Sequence, residues 1–208
     1  VNQYSCSAED LRDFTSRFGF EFTDGQKKAV NEIFADMTSP KSMNRLLQGD
    51  VGSGKTAVAL CAIYVAVKSG YQAVMLAPTE ILAEQNYKIC KRLFPEYEVD
   101  FLSGSTKGKE KTALKKRIKN GDAKIVVGTH AVLTGDVEFY NLSACVCDEQ
   151  HRFGVEQRSA LVAKGIIPDV LVMSATPIPR TLSLIFYGDL DVTEITDKPA
   201  NRLPVQTN

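Results

Sequence analysis

The 208-residue sequence has no tryptophan, only two histidines and no excess of charge of either sign. Lysine plus arginine and aspartate plus glutamate both total 25. Proteins that hold nucleic acid by bulk electrostatics are clearly basic, so any contact of this chain with DNA is expected to be local. Because no second set of Cys or His ligands accompanies either histidine, the sequence argues against a zinc site.

Long apolar runs are also missing. No stretch approaches the roughly 18 apolar residues of a membrane span, and the first residues lack a signal-peptide pattern. The five cysteines form no C-x-x-C pair, and their odd number predicts reduced, buried thiols in a cytoplasmic protein. The run Cys145–Cys147 lies in an apolar strand and is predicted to belong to the core.

What the sequence does contain is an alternation of short apolar runs with helical stretches. The predicted strands are Arg45–Gln48, Ala73–Ala77, Val99–Leu102, Lys124–Val127, Ala144–Cys147, Val170–Met173 and Val192–Ile195. The predicted helices are Ser7–Phe18, Asp24–Met37, Lys55–Lys68, Glu80–Leu93, Lys109–Lys119, Val155–Ala163 and Arg180–Phe186. This order predicts an α/β fold, a parallel sheet with helices on both faces. Ligands of such sheets bind at the carboxyl ends of the strands.

A phosphate-binding motif follows the first predicted strand and opens a helix. Its residues are Gly49, Asp50, Val51, Gly52, Ser53, Gly54, Lys55 and Thr56, which fit G-x-x-x-x-G-K-[ST]. Backbone N–H groups and the helix N-terminus would surround the phosphates of ATP. Lys55 would reach the β/γ-phosphates and the Thr56 hydroxyl would ligate Mg²⁺. The alternative is a glycine-rich turn that binds nothing, and the strand–loop–helix context disfavours it.

Two adjacent acids end another apolar strand. An acid at such a strand tip can hold the Mg²⁺ shell, and a second can orient and deprotonate the attacking water. We assign Asp148 to the metal and Glu149 to the water. Two solvated acids that merely close a strand are common, but the accompanying P-loop favours the catalytic interpretation.

The string Asp148-Glu149-Gln150-His151 resembles the DExH box of superfamily 2 helicases, and its continuation to Arg158 is similar to the RecG family. The segments Leu46–Thr56, Ala77–Gln85 and Ser174–Leu182 resemble the same family. The resemblance covers about Phe22 to Thr207. It implies a RecA-like P-loop NTPase lobe of an ATP-dependent helicase that remodels branched DNA in bacterial repair and recombination.

The resemblance also implies roles for several residues around the nucleotide. Gln26 matches the glutamine that contacts adenine, with Phe18, Phe20 or Phe22 as stacking partners. Thr23 and Gln26 equally fit a helix capping box, and both interpretations stay open. Ser174 and Thr176 match a motif that couples the nucleotide site to DNA. The same coupling role is expected of Gln150 and His151.

Three turns are expected to contact the DNA backbone. The resemblance assigns this role to Pro78 and Thr79 and to Thr129 and His130, and the small turn at Gly104 is a further candidate. Hydroxyl and N–H donors at helix N-termini can bind phosphates without reading sequence. Thr79 and Thr129 could instead be plain helix N-caps, and the two roles can coexist.

The stretch 107–119 carries seven basic residues and Glu110 as its only acid. It could touch DNA phosphates. Because no aromatic residues are interleaved for base stacking, we interpret it as the solvated face of an amphipathic helix.

The whole sequence is expected to form one ATP-binding lobe of a monomeric, bacterial, cytoplasmic protein. Residues 1–22 would be a leading segment with a helix, and 197–208 would begin the linker to a second RecA-like lobe. That lobe and the DNA-splitting wedge domain of the family are expected to lie elsewhere in a longer protein. The isolated lobe should then bind ATP–Mg²⁺ weakly and not unwind DNA. Three alternatives are an Mfd-like translocase, a regulatory ATP-binding module and a small-molecule kinase.

Overall fold

A computed structural model describes residues 2–148, 153–175, 179, 181 and 190–196. The strands are β1 (Asn44–Gly49), β2 (Gln72–Leu76), β3 (Val99–Leu102), β4 (Ile125–Gly128), β5 (Leu142–Asp148), β6 (Asp169–Ser174) and β7 (Asp191–Ile195). The α-helices are α1 (Ala8–Thr15), α2 (Asp24–Met37), α3 (Lys55–Lys68), α4 (Glu80–Leu93), α5 (Gly108–Asn120) and α6 (Phe153–Ala163). Two short 3₁₀ helices span Ser16–Phe18 and His130–Leu133.

The seven strands form one sheet in the order β3-β4-β2-β5-β6-β1-β7, and every pairing is parallel. Consecutive side chains of a strand point to opposite faces, and the buried apolar residues divide accordingly into two clusters. One cluster packs under α1 to α4, and the other packs under α5 and α6. The predicted α/β architecture with helices on both faces is confirmed.

Helix α3 lies deepest in the molecule. All eleven residues from Ala57 to Val67 are buried, so this helix is apolar on every side. On one flank, the Tyr64 ring stacks on Phe14 of α1 with centroids 4.4 Å apart. The element that begins at the P-loop is therefore enclosed by sheet and helices.

The five cysteines are buried and free, as the sequence predicts. Cys145 and Cys147 share one face of β5, with their sulfur atoms 3.8 Å apart in the apolar cluster under α5 and α6. Across the described ranges, no group of three or more His, Cys, Asp or Glu side chains is arranged to hold a metal ion. Because both side chains are fully buried in that cluster, the assignment of Cys145 and Cys147 to the core is confirmed.

The predicted leading helix is wrong in one respect. Ser7 caps α1 as expected, because its hydroxyl accepts a hydrogen bond from the Asp10 N–H at 3.0 Å. The α-helix nevertheless ends at Thr15, and a 3₁₀ turn continues to Phe18. Gly19 then ends the segment with a φ of 77°, a left-handed conformation that favours glycine.

The segment before α1 is attached to the amino edge of the sheet. The Tyr4 hydroxyl donates to Asp169 Oδ2 at 2.5 Å, and the Met43 N–H donates to Asp169 Oδ1 at 2.6 Å. Burial raises the pKa of the Asp169 carboxyl, although these hydrogen bonds act in the opposite direction. This attachment lies at the edge of the sheet opposite the carboxyl ends of the strands.

Candidate active site

All the loops predicted to carry chemistry leave the same edge of the sheet. Parallel strands share one carboxyl edge, and β1, β2, β3, β4, β5 and β6 each end there in a predicted motif. The P-loop follows β1 and Asp148 ends β5, with only β6 between these two strands. Buried Ser174 ends β6 and is paired in register with Gln48 of β1. The sheet order therefore places the expected ATP and metal residues on neighbouring strand ends.

The backbone of the P-loop explains its glycines. Gly52 and Gly54 adopt φ values of 86° and 84°, in the left-handed region that side chains disfavour. A Cβ at Gly54 would lie 2.0 Å from Gln26 Nε2, and one at Gly49 would lie 2.5 Å from Ser53 Oγ. The loop is folded so tightly that neither position has room for a side chain.

Lys55 is folded back into this loop. Its Nζ donates to the carbonyl oxygen of Gly49 at 2.6 Å and to that of Asp50 at 3.3 Å. The ammonium group therefore lies inside the curve of the loop, where a phosphate would meet it. Thr56 follows on the first turn of α3 and is half-buried.

Ser53 gives an independent indication of a ligand. Its hydroxyl is buried and has no hydrogen-bond partner within the described residues. Buried polar atoms are normally paired, so this hydroxyl is expected to donate to an acceptor that a bound ligand supplies. A phosphate oxygen is such an acceptor, and the first amides of α3, which have no acceptor within the helix, add further donors. The residues present therefore fit a nucleotide phosphate.

Gln26 forms the capping box that the sequence predicted as one of two options. The Thr23 hydroxyl accepts from the Gln26 N–H at 3.2 Å, and Gln26 Oε1 accepts from the Thr23 N–H at 2.9 Å. Gln26 Nε2 also donates to the Gly54 carbonyl at 3.2 Å. Through these bonds the fully buried side chain of Gln26 joins the start of α2 to the P-loop. Contact with adenine would require an exchange of these partners.

The three phenylalanines proposed as stacking partners differ in exposure. Their rings contact one another, with centroids 5.3 to 5.8 Å apart. Phe22 is buried, whereas Phe20 is 41% exposed. Phe20 is therefore the one whose ring offers most surface to a base.

Asp148 has a neighbour that the sequence analysis missed. The Nδ2 atom of Asn86 lies 3.5 Å from Asp148 Oδ2, at the outer limit of a hydrogen bond. Asn86 is buried on α4, where Ala83, Cys90 and Leu93 complete the inward stripe. A polar residue at an inward position of an amphipathic helix was the available signal. Glu149, Gln150, His151 and Thr176 lie outside the described residues.

The three turns expected to contact DNA lie side by side at the ends of β2, β4 and β3. Thr79 is exposed and caps α4, because its hydroxyl accepts from the Leu82 N–H at 3.3 Å. Its capping role is therefore confirmed. Gly104 and His130 are also exposed, and Pro78 is half-buried.

Thr129 differs from Thr79. It is only 8% exposed, and its side chain makes no capping hydrogen bond to the 3₁₀ helix that follows. Thr129 thus occupies the N-cap position of a 3₁₀ helix, but its hydroxyl does not serve as the cap. The preceding Gly128 is required by close packing, since a Cβ there would lie 1.8 Å from the Leu102 carbonyl oxygen.

Four basic residues of helix α5 form ion pairs with neighbouring acids. Lys111 and Lys115 both face Asp136, at 3.8 and 3.1 Å. Arg117 pairs with Asp100 and Glu98, and Lys119 pairs with Glu138. Hydrogen bonds from Thr134 and Lys115 lower the pKa of Asp136. These exposed pairs support the interpretation of α5 as a solvated face and not as a DNA-binding surface.

The families of proteins with similar sequences are consistent with a nucleotide-binding site at this edge. The sequence model of the DEAD/DEAH box helicase family matches residues 23–185, and the chain belongs to that family. Membership decides against the small-molecule kinase alternative. Within the described ranges, no helix combines the length and the apolar character needed to cross a bilayer.

Similar proteins narrow the family further. The chain is 51% identical over 203 residues to the ATP-dependent DNA helicase RecG of Bacillus subtilis, covering 97% of this chain and 30% of that protein. It is 50% identical to RecG of Streptococcus pneumoniae, covering 90% of this chain and 28% of that protein. The structure of RecG bound to a three-way DNA junction aligns with a TM-score of 0.84 and 44% identity, over 98% of this chain and 28% of that one. The chain is thus similar to one part of RecG and spans less than a third of the length of these relatives.

Proposed function

We propose that residues 1–208 form the ATP-binding motor lobe of a RecG-type helicase that couples ATP hydrolysis to the remodelling of branched DNA. The single observation that carries this proposal is the placement of the P-loop and Asp148 on one sheet edge, with only β6 between their strands. Relatives of about three times the length bear the RecG name, and one is described as bound to a three-way junction. Residues 197–208 would lead into a second RecA-like lobe.

The P-loop would bind the triphosphate of ATP. Lys55 would exchange its bonds to the Gly49 and Asp50 carbonyls for bonds to the β/γ-phosphates. The unpaired hydroxyl of Ser53 would donate to a phosphate oxygen. Gln26 holds Gly54 in place and would contact adenine only after a change of partners.

Mg²⁺ fits the donors that remain. Thr56 and Asp148 would hold it, and Asn86 would keep the Asp148 carboxylate oriented. Bound Mg²⁺ supplies charge neutralisation for the transferring phosphate. Glu149 would orient and deprotonate the attacking water, while Gln150, His151, Ser174 and Thr176 would connect hydrolysis to DNA.

The DNA backbone would cross the turns at the ends of β2, β4 and β3. Because the net charge is zero and four basic residues of α5 are paired with acids, N–H and hydroxyl donors of those turns would supply the contacts with the backbone. Arginines of the second lobe would stabilise the charge of the phosphoryl transition state.

The proposal is tested by nucleotide binding to this chain, with a fluorescent ATP analogue and Mg²⁺. Lys55→Ala should weaken binding by about tenfold or more, because a charge-assisted bond to phosphate is lost. Lys68→Ala is the matched control, since Lys68 lies exposed at the other end of the same helix. Equal affinities of the two variants would refute the assignment of the P-loop.

A further inference from the structure

A carboxylate lies in the middle of the edge that is proposed to bind DNA. Glu80 is the first residue of α4 and directly follows Thr79. Its Oε1 accepts a hydrogen bond from the Ser103 hydroxyl at 2.8 Å and another from the Ser105 hydroxyl. These bonds lower the pKa of Glu80, so the side chain is ionised at neutral pH.

The contact joins two turns that are not neighbours in the sheet. Glu80 follows β2, the serines follow β3, and β4 lies between these strands. The hydroxyls of Ser103 and Ser105 are 2.9 Å apart, and Thr106 closes the turn with a bond from its N–H to the Ser103 carbonyl at 3.1 Å. Ser103 is buried, so the turn is anchored at one end and exposed at Gly104 and Ser105.

An ionised carboxylate beside DNA has two opposite effects. It repels phosphate, and in an exposed place this repulsion is reduced by water and salt. It also fixes both turns before DNA arrives, which lowers the entropy lost on binding. Because Glu80 accepts from two hydroxyls of a turn whose outer residues, Gly104 and Ser105, are exposed, we expect the second effect to dominate.

We propose that Glu80 is a positioning residue for the DNA backbone, which joins the Ser103–Ser105 turn to the start of α4 so that both turns meet one strand as a unit. This rests on the proposed DNA contact of the same edge. With strands about 4.8 Å apart, the two turns are separated by roughly 10 Å. That distance corresponds to the rise of about three nucleotides along one strand of a duplex. A strand crossing from β2 over β4 to β3 would therefore meet both turns, the second of them at the exposed backbone of Gly104.

The test measures the affinity of the full-length protein for a fluorescently labelled three-way junction. Glu80→Ala and Ser105→Ala should each weaken binding by about threefold to tenfold, the range of one lost hydrogen bond to a charged group at an exposed site. The double variant should bind no more weakly than Glu80→Ala alone, because Glu80→Ala already removes the contact with Ser105 together with the contact with Ser103. Glu80→Gln keeps an acceptor oxygen for the serines and should stay near the parent.

The matched control is Glu84→Ala. Glu84 is an exposed acid one turn further along α4, and its removal reports the repulsion between an acid and DNA alone. If Glu80→Ala and Glu80→Gln both tighten binding as Glu84→Ala does, Glu80 only repels DNA and the inference is overturned. Unchanged affinity of Glu80→Ala or independent effects in the double variant overturn it as well.

The same titration distinguishes failure of the positioning role from failure of the proposed function. If the parent protein binds the junction and Glu80→Ala and Ser105→Ala bind it with equal affinity, only the positioning role is refuted. If the parent does not bind the junction, the proposed function is refuted as well. Affinity for the ATP analogue should be equal in the parent and in every variant, which excludes general misfolding as the cause of weaker DNA binding.

Discussion

Substitution of Gly54 by alanine should destabilise the protein more than the same change at Gly70, a glycine of positive φ with open space around it. Two separate costs arise from the structure. The φ of 84° places alanine in the left-handed region, at about 1–2 kcal/mol. The new Cβ would also lie 2.0 Å from Gln26 Nε2 and 3.0 Å from its Cδ, so the buried amide must move.

Displacement of Gln26 breaks its bond to the Gly54 carbonyl and strains the capping box with Thr23. A buried polar group left unpaired costs about 1–3 kcal/mol. Together with the backbone term, the free energy of unfolding should fall by about 2–5 kcal/mol. Urea unfolding of this chain without nucleotide, followed by circular dichroism, measures the change.

Gly70→Ala is the matched control. Gly70 has a φ of 91°, but no atom lies within 4 Å of its would-be Cβ, so alanine there bears the backbone cost alone. In a Gln26→Ala background, Gly54→Ala should lose its excess over Gly70→Ala. If the excess persists without the glutamine side chain, the clash is not its source and our account of Gly54 is refuted.

Three further outcomes are expected. Asn86→Ala should raise the Mg²⁺ concentration needed for half-maximal nucleotide binding. The control is Asp122→Asn, since Asp122 lies at the amino edge of the sheet. An unchanged Mg²⁺ concentration for Asn86→Ala would show that Asn86 does not orient Asp148. Burial raises the pKa of Asp169, so the folded state holds its proton longer, and the unfolding free energy should fall as pH rises from the ordinary aspartate pKa to the raised one. Asp169→Asn should flatten that fall, and an identical pH profile would contradict the assignment. Finally, this chain alone should hydrolyse ATP at least about 10³-fold more slowly than the full-length protein on DNA, because the arginines of the second lobe are missing; comparable rates would contradict the two-lobe proposal.

The fold was predictable because most strands are short apolar runs, and because α1, α2 and α4 begin at side-chain caps that the sequence contains. All seven predicted strands are present, with ends that differ by at most two residues. The close packing of Gly128 against Leu102, just before the 3₁₀ turn, was not predictable. Packing of that kind depends on which strands are neighbours, and local sequence does not contain that information.

Prediction of the site was uneven for a similar reason. The P-loop is a continuous motif, so Gly49–Thr56 could be identified from spacing alone. Asn86 and the contact of Glu80 with Ser103 join residues that are 62 and 23 positions from their partners. Such contacts depend on the order of strands in the sheet. The double role of Gln26 could be seen only in the three-dimensional structure. Its one buried amide group accepts a hydrogen bond from the Thr23 N–H and donates another to the Gly54 carbonyl of the P-loop.

The complete enclosure of α3 has a mechanical consequence. A helix with eleven successive buried residues cannot slide or tilt without opening the interior on several sides. The start of this helix would therefore stay fixed when phosphate arrives or leaves. In the proposed motor, movement would therefore come from rigid-body rotation or translation of the whole lobe. The turns at the ends of β2, β4 and β3 would transmit that movement to DNA, while the packing around α3 stays unchanged.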